Sequence, residues 1–416
     1  MNERLLEQGQ IAKDAARILR KTSAQSRNQA LKLMASAIEK HEDLIIEANK
    51  VDLLEGQANG LTESMLERLT LTPERIKGMA NGLRQMAELP DPISKTDTEW
   101  INRDGLRISQ RRVPIGVIGM IYESRPNVTV DAAGLTLKSG NAVILRGGKE
   151  AIHSNQTIVE ILQNALSMSP IPKHSVQLIE NTSREIVTEF MQMTDYIDCL
   201  IPRGGAGLIQ SVKENAKVPV IETGVGNCHL YIHEAADIVK AEAILINGKT
   251  QRTSVCNALE TLIIDRSISE DVLPRLAHAL YREGVEIRGE ADAQALVTGI
   301  QEVSESDYQN EFLDLIIAVK IVDGYEAAIK HIDTYSTGHS DAIVTENYTV
   351  AQNFLRDIDS ACVYVNASTR FSDGEVFGFG GEIGISTQKL HARGPMGLEA
   401  LTSYKYTILG DGQIRG

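Results

Sequence analysis

The run Ile115-Gly116-Val117-Ile118-Gly119-Met120-Ile121-Tyr122 is apolar and has the length of a β-strand. It is the first element of the alternating strand and helix pattern from which the fold is predicted. A helical stretch follows from Pro126 to Lys138, and its initial proline suits a helix start because the missing N–H has no intrahelical partner there. The next apolar run is Ala142-Val143-Ile144-Leu145. Strand, helix and strand at this spacing predict a parallel sheet with helices on both faces.

The same alternation continues on the carboxyl side in two series. The first predicts strands at 176–179, 197–201 and 218–221, with helices at 149–166, 183–191 and 205–215. The second predicts strands at 259–264, 285–288, 315–322 and 341–344, with helices at 270–282, 291–297, 325–332 and 349–357. Two such series indicate two doubly wound α/β domains. The first ~90 residues are predicted to be helical, because apolar positions recur among charged ones as an amphipathic stripe.

A β-hairpin is predicted ahead of the first series. Asp104-Gly105 lies between two β-prone arms that run from 97 to 110, and Asp-Gly is a favoured hairpin turn. A two-stranded ribbon cannot bury a core of its own. We therefore expect this arm to reach out and pair with something else.

Composition bounds the class of protein. A chain of 416 residues allows two or three domains with a sizeable core, and 42 % hydrophobic with 24 % charged residues is ordinary for a soluble globular protein. The formal net charge of −14 argues against a general binder of nucleic acid or of anionic membranes. The N-terminal residues lack the apolar core of a secretion signal, and no apolar run approaches the ~20 residues that span a bilayer.

The four cysteines are Cys199, Cys228, Cys256 and Cys362, and they are widely spaced. No Cys-x-x-Cys pair occurs, which weakens the zinc-ribbon and disulfide-framework hypotheses and favours a reducing cytoplasm. Cys199 and Cys362 lie in strand-like apolar runs, where a small buried hydrophobe is the expected role.

Cys256 differs because it lies on the polar bend 248–258, between a predicted helix and a predicted strand. A nucleophilic cysteine needs such a bend, with neighbouring cations that favour the thiolate, and Lys249 and Arg252 are the candidate cations. The Gly-Lys-Thr run within the bend resembles the end of a phosphate-binding P-loop. That motif requires an earlier glycine at the position of Ala243, so it is rejected.

Several other polar positions follow predicted strands, where α/β folds place ligands. Gly204 and Gly205 would let backbone N–H groups approach a phosphate, or they form a plain tight turn. Glu222 is either a ligand-site carboxylate or a helix-capping or solvated group. Arg125 would hold a phosphate or carboxylate, or form a surface ion pair, and the basic cluster 389–395 either attracts an anion or is a solvated turn.

Two familiar ligand motifs are missing. The Gly-x-Gly-x-x-Gly fingerprint fails at Ile383 and at His229, so any dinucleotide would bind without it. His229 and His233 are four residues apart on a strand-like run, which separates them by ~13 Å, too far to share a metal ion. No metal site is predicted.

Further motifs occur in order along nearly the whole chain. They are at 112–119, 122–129, 138–141, 145–150, 201–205, 222–229, the bend with Cys256, 336–343 and 384–395. Together they resemble the gamma-glutamyl phosphate reductases (glutamate-5-semialdehyde dehydrogenases), a branch of the aldehyde dehydrogenase superfamily. The resemblance implies an aldehyde dehydrogenase-like α/β fold of two doubly wound domains with an oligomerisation element. The implied parts are a cofactor-binding domain (1–96 and 112–225), a catalytic domain (226–372), an oligomerisation arm (97–111 and 400–416) and a segment returning to the cofactor domain (373–399).

The resemblance also implies catalytic and substrate-binding residues. Cys256 matches the nucleophile, and Glu222, 256 − 222 = 34 residues earlier, matches the general-base glutamate of the superfamily. Backbone N–H groups around Cys256, with the side chain of Asn257, are the candidates for stabilising the oxyanion. The candidates for binding the phosphate or the α-carboxylate are Arg125, Lys389 and Arg393.

Cofactor contacts follow from the same resemblance. Arg146 and Lys149 match the strand end near the adenosine ribose, where two positive charges suit a 2′-phosphate and therefore NADPH. Gly204 and Gly205 match the turn near the cofactor phosphates, and Glu311 matches the contact to the nicotinamide ribose.

The implied reaction is NADPH-dependent reduction of L-glutamyl 5-phosphate to L-glutamate 5-semialdehyde, with a thioester on Cys256. The hairpin and the tail 404–408 would pair with a neighbouring subunit of a cytoplasmic homo-oligomer, and glutamate 5-kinase is a possible partner that hands over the acyl phosphate. Two alternatives remain: a hydrolytic, NAD-dependent aldehyde dehydrogenase, and a cysteine acyltransferase without a redox cofactor.

Overall fold

The computed structural model describes residues 2–415 and divides the chain into two compact units. The first unit comprises Met1–Thr223, Gly378–Gly384 and Met396–Gly416, and the second comprises Gly224–Phe377 and Ile385–Pro395. The helices are α1 (Glu3–Leu19), α2 (Ala24–Lys40), α3 (Glu42–Ala58), α4 (Glu63–Leu69), α5 (Pro73–Glu88), α6 (Asn127–Lys138), α7 (Ile152–Leu166), α8 (Arg184–Phe190), α9 (Ala206–Asn215), α10 (Ile238–Thr250), α11 (Arg266–Arg282), α12 (Ala291–Leu296), α13 (Glu305–Gln309), α14 (Tyr325–Tyr335) and α15 (Tyr348–Asp357).

The strands form four sheets. They are β1 (Thr96–Ile101), β2 (Arg107–Pro114), β3 (Val117–Tyr122), β4 (Ala142–Arg146), β5 (Val176–Leu178), β6 (Cys199–Arg203), β7 (Cys228–Ile232), β8 (Leu259–Asp265), β9 (Glu286–Gly289), β10 (Gln301–Glu302), β11 (Ile316–Val322), β12 (Ser340–Val344), β13 (Cys362–Val365), β14 (Ile385–Ser386), β15 (Gly394–Pro395) and β16 (Thr402–Leu409). No described helix is long and apolar enough to cross a membrane.

A four-stranded parallel sheet in the order β5-β4-β3-β6 organises the first unit. Every residue of β3 is buried, which is expected for a strand covered by helices on both faces. The predicted strand at 218–221 is wrong: the structure has only a single bridge between Leu200 and Val220. Pro219 lacks the N–H that a longer ladder would need.

The second unit is built on a seven-stranded parallel sheet in the order β10-β9-β11-β8-β7-β12-β13. β8 is buried along its whole length at the centre of this sheet. Its apolar residues pack with those of β7, β11 and α11 into the core of the unit. The predicted second α/β series is confirmed, although α11 begins at Arg266 rather than at residue 270.

The predicted hairpin is confirmed, with Gly105 in its turn at φ +82°, a conformation that favours glycine. β2 also pairs along its length with β16, so the arm is a three-stranded antiparallel sheet in the order β1-β2-β16. The sequence predicted pairing with a neighbouring subunit for both segments and missed their pairing with each other. β1 and β16 are the sheet edges and carry exposed Trp100, Ile101, Tyr404 and Ile408.

Candidate active site

Cys256 lies in the turn between α10 and β8 of the second unit, as the sequence predicted. It is half-buried, whereas the other three cysteines are buried, and none of the four forms a disulfide. Two consecutive regular elements therefore hold both ends of a short irregular segment that carries the accessible cysteine.

The carbonyl of Cys256 is packed against Gly226. A Cβ added to Gly226 would lie 1.4 Å from the Cys256 carbonyl oxygen, so no other residue fits there without displacing the turn. The same oxygen accepts a hydrogen bond from the buried thiol of Cys228, with Sγ at 3.2 Å. Burial raises the pKa of the Cys228 thiol, with the Asp341 and Cys256 charges adding to the effect, so the group stays protonated and can donate.

Glu311 holds Gly226 in place. Its Oε1 accepts the Gly226 N–H at 2.6 Å, and burial raises the pKa of this carboxyl although the Gly226 hydrogen bond opposes the rise. Asn227, the next residue, donates its side-chain amide to the carbonyls of Tyr308 and Tyr335 at 2.6 and 2.8 Å. The structure therefore brings the predicted residue Glu311 next to the peptide that contacts Cys256.

Lys249, one of the two predicted cations, has a different role. Its Nζ lies 2.7 Å from Glu260 Oε2 and 2.9 Å from the Leu259 carbonyl, and both charged side chains are completely buried. Burial lowers the pKa of Lys249 and raises that of Glu260, and each shift is opposed by the partner charge. The pair joins the last turn of α10 to the start of β8. The Lys249 charge therefore stabilises the fold and is paired with Glu260.

Arg370 is the residue at this turn that the sequence analysis missed. Its Nε donates to Gln251 Oε1 at 3.0 Å, and its carbonyl accepts a 3.4 Å bond from the side-chain amide of Asn257. Burial lowers the pKa of Arg370, while the charges of Asp373 and of the Cys256 thiolate act in the opposite direction. A lone arginine more than 100 residues from Cys256 carries no local signal, because only the tertiary fold joins the two segments.

Asn257 is buried beside Cys256. Thr369 donates its hydroxyl to the Asn257 carbonyl at 2.7 Å, which fixes the carboxyl side of the turn. The Asn257 Oδ1 is buried without a hydrogen-bond partner among the described residues. An unsatisfied amide next to the cysteine is a polar group that a bound molecule can pair with.

Lys389 and Arg393 both interact with Asp359. Lys389 forms an ion pair with this carboxylate, and Arg393 lies 2.8 Å from it. These two cations lower the pKa of Asp359 mainly by hydrogen bonding. The basic cluster is thus neutralised in part by one carboxylate, which weakens its predicted role in binding an anion.

In the first unit, three adjacent strands end together at the carboxyl edge of the sheet. Arg146 ends β4, Glu123 follows β3, and Gly204 follows β6. Glu123 Oε2 accepts the Gly205 N–H at 3.1 Å, and a Cβ on Gly204 would lie 2.4 Å from that same oxygen. The N-terminus of α9 therefore already binds an anionic oxygen, which fits a site for phosphate groups.

Arg146 supplies positive charge at this edge. One terminal nitrogen donates to the Thr182 carbonyl at 2.7 Å, and Nε is buried without a hydrogen-bond partner among residues 2–415. Burial lowers the pKa of this guanidinium, and the nearby carboxylates of Glu150 and Glu123 oppose the change. Lys149, three residues after Arg146, is exposed. These groups fit a cofactor that carries phosphates.

Arg125 and Glu222 also lie in the first unit. Arg125 is half-buried directly after β3, and the preceding Ser124 donates its N–H to Glu150 Oε1 at 2.7 Å. Glu222 forms an ion pair of 3.1 Å with Lys213 on α9. The carboxylate proposed as a general base is thus bound to a lysine of its own unit.

The residues described by the structure include no cluster of three metal-binding side chains. His229 instead uses Nδ1 to contact the buried Asp341 at 3.0 Å, and His233 contacts Thr345 at 3.0 Å. Both histidines thus belong to the buried polar network, although Nε2 of His229 has no hydrogen-bond partner among the described residues.

Comparison with known proteins assigns the chain to a family. The model of the aldehyde dehydrogenase family matches residues 4–299. This match spans more than half of the chain, which therefore belongs to the aldehyde dehydrogenase family and has the α/β fold that the motifs implied.

Individual relatives narrow the assignment. The gamma-glutamyl phosphate reductase of Moorella thermoacetica is 54 % identical over 407 residues, covering 98 % of this chain and 97 % of that protein. The gamma-glutamyl phosphate reductase of Clostridium botulinum (strain Alaska E43) is 54 % identical over 415 residues, covering 100 % of both chains. The crystal structure of the Thermotoga maritima gamma-glutamyl phosphate reductase matches with a TM-score of 0.97 at 47 % identity, covering 99 % of this chain and 100 % of that one. Within the family, the chain belongs with the gamma-glutamyl phosphate reductases, and the resemblance drawn from its motifs is confirmed.

Proposed function

We propose that this protein reduces L-glutamyl 5-phosphate to L-glutamate 5-semialdehyde with NADPH and releases phosphate, the second step of proline biosynthesis from glutamate. The observation that carries the proposal is the turn at Cys256, which presents a half-buried cysteine whose carbonyl is held by Gly226 and Cys228. The high identity to gamma-glutamyl phosphate reductases over the whole chain supports it.

Cys256 is the proposed nucleophile. As a thiolate it attacks the acyl carbon, and the charge that develops on the carbonyl oxygen is received by N–H groups of the turn, with Asn257. The carbon–oxygen bond to phosphate then breaks, the electron pair moves onto the phosphate oxygen, and this oxygen takes up the proton that the Cys256 thiol released, so that hydrogen phosphate leaves. A thioester on Cys256 remains.

NADPH, when bound, supplies the hydride that converts this thioester to the aldehyde level. Arg146 and Lys149 would hold its 2′-phosphate, and the turn at Gly204 and Gly205 would contact its other phosphates, because the Gly205 N–H at the start of α9 donates to a carboxylate oxygen of Glu123. Glu311 is the proposed contact to the nicotinamide ribose. The resulting thiohemiacetal on Cys256 collapses, which releases the aldehyde and regenerates the thiol.

Glu222 occupies the position of the general base in hydrolytic members of the superfamily. In the reaction proposed here water must not reach the thioester, since hydrolysis would waste it. We therefore assign Glu222 no activation of water, in keeping with its ion pair to Lys213. Arg125, Lys389 and Arg393 remain the candidates for the amino-acid end of the substrate.

The proposed biological form is a cytoplasmic homo-oligomer that associates through the arm of 97–111 and 400–416. The arm supports this because its outer strands leave apolar side chains exposed, and unpaired strand edges favour addition of further strands. The first unit is the proposed cofactor-binding domain and the second the catalytic domain. Direct transfer of the acyl phosphate from glutamate 5-kinase is a further proposal. A monomeric mass in sedimentation equilibrium would contradict the oligomer.

The deciding experiment runs the reaction in reverse. Glutamate semialdehyde should reduce NADP only when phosphate is present, and Cys256→Ala should lose the activity to below about one part in a thousand while folding normally. Phosphate-independent oxidation with NAD would instead support the hydrolytic aldehyde dehydrogenase. Absence of a saturable change in NADPH fluorescence on addition of the protein would favour the acyltransferase without a cofactor.

A further inference from the structure

Arg370 spans the turn that carries Cys256. Its backbone contacts Asn257 on the carboxyl side of the cysteine, and its Nε contacts Gln251 on the amino side. The side chain therefore crosses the same seven-residue segment, 251–257, that the nucleophile occupies. The preceding residue, Thr369, donates its hydroxyl to the Asn257 carbonyl and so fixes the backbone from which the Arg370 side chain extends.

The two terminal nitrogens of the Arg370 guanidinium make no hydrogen bond within the described residues. Among residues 2–415, neither terminal nitrogen has a hydrogen-bond partner, no carboxylate lies within 4.0 Å, and neither nitrogen is buried. Arg252, on the same turn, is exposed and has no ion pair within the described chain. Lys389 and Arg393 differ, because Asp359 binds both of them.

We propose that Arg370 binds the phosphoryl group of the acyl phosphate substrate at the Cys256 turn, with Arg252 adding a second positive charge. The inference rests on the proposed function, and it names the residue that recognises the leaving group. In the reverse direction the same guanidinium binds inorganic phosphate as it attacks the thioester.

The chemistry of the leaving group requires such a residue. When the sulfur–carbon bond forms and the carbon–oxygen bond breaks, the electron pair moves onto a phosphate oxygen. This oxygen takes up the proton released by the Cys256 thiol, and the departing hydrogen phosphate carries two negative charges near neutral pH. A guanidinium held through Nε presents its remaining N–H groups as a fork that matches two phosphate oxygens. Preorganised positive charge at this position lowers the barrier to departure and favours phosphate over water as the acyl acceptor.

The test measures phosphate dependence in the reverse reaction. Arg370→Gln keeps a polar side chain and removes the charge, so the KM for phosphate should rise at least about 30-fold, whereas the KM for the aldehyde should change less than about threefold. Arg370→Lys, which restores the charge without the fork, should recover part of the loss. Arg356→Gln is the matched control, because that exposed arginine pairs only with Asp357 in the described chain and should leave both constants unchanged.

A second measurement needs no turnover. Inorganic phosphate should slow the alkylation of Cys256 by iodoacetamide in the wild-type protein, and this protection should be lost in Arg370→Gln. If Arg370→Gln does not fold, Gln251→Ala removes only the anchor of Nε and should raise the KM for phosphate a few-fold.

The outcomes distinguish failure of the inference about Arg370 from failure of the function proposed for Cys256. An unchanged phosphate KM and intact protection in Arg370→Gln would overturn the inference while leaving the function of Cys256 standing. A lower kcat with an unchanged phosphate KM and intact protection would also overturn it, since phosphate would then bind equally well without the guanidinium. Retention of activity by Cys256→Ala would instead overturn the proposed function itself.

Discussion

At the scale of single residues, the site depends on how closely two backbones approach. The Cys256 carbonyl occupies the space that a side chain at position 226 would fill. The thiol of Cys228 donates to the Cys256 carbonyl, and the carboxylate of Glu311 accepts the Gly226 N–H, so both hydrogen bonds fix the two backbones in contact. A nucleophile on an irregular turn is thereby given one position, which is what efficient attack requires.

Replacing Gly226 by alanine should displace the nucleophile. The added Cβ meets backbone, which cannot rotate away, so we expect kcat/KM to fall about 100-fold and the protein to be destabilised by about 3 kcal/mol. Steady-state kinetics and chemical unfolding would measure the two effects. Gly82→Ala is the control, because a Cβ there meets nothing within 4 Å and alanine favours a helix, so its activity should be unchanged. A fully active Gly226→Ala protein would show that the turn tolerates movement.

At the scale of elements, a buried ion pair fastens the two elements on either side of Cys256. Lys249 belongs to the last turn of α10, and Glu260 is the second residue of β8. Such a pair contributes little against well-packed apolar residues, but losing one member leaves an unpaired charge in the interior.

Lys249→Met should therefore destabilise the protein by about 3–5 kcal/mol, and the double variant Lys249→Met with Glu260→Met should recover much of that loss. Lys240→Met on the same helix is the control. Its partner, Glu346, is as exposed as Lys240, so removing this solvent-screened pair should cost far less stability than Lys249→Met. Urea unfolding of the four proteins gives the comparison. Equal losses in the Lys249 single and double variants would show that the charge is not the cause.

At the scale of the whole molecule, a buried histidine links stability to pH. His331 on α14 packs against the rings of Tyr308 and Tyr335, with centroids 4.9 and 4.7 Å away. Burial lowers the pKa of His331 to about 3, and the charges of His229 and Lys320 act in the same direction. The unfolded chain binds this proton near pH 6.5, whereas the folded protein does not until much lower pH.

The contribution of His331 to stability should thus be complete above pH 6.5 and should decline as the pH falls toward 3, by about 1.4 kcal/mol per pH unit. His331→Phe should remove this part of the slope when unfolding free energies are measured between pH 4 and 7. His278→Phe, a change at an exposed histidine, should retain the wild-type slope. A parallel pH dependence in the wild-type and His331→Phe proteins would contradict the assignment.

Local patterns account for most of the predicted fold. The alternation that begins at Ile115 predicted both parallel sheets, because apolar runs and helix starts depend on neighbouring residues. The error at 218–221 arose where a strand-like run contains Pro219, which cannot extend a ladder. The arm shows the complementary failure: each strand was predicted, but the pairing of β2 with β16 joins segments almost 300 residues apart.

Short runs of neighbouring residues specify the α/β class, the family and the bend that carries Cys256. Which charges surround that cysteine depends instead on how distant segments of the chain fold together. In the folded chain, Lys249 pairs with Glu260, and Lys389 and Arg393 pair with Asp359. The side chain of Arg370 extends to Gln251 on the turn that carries Cys256. The physical reason is that electrostatic partners are chosen by distance in space, and the fold sets that distance through contacts between segments far apart in the chain.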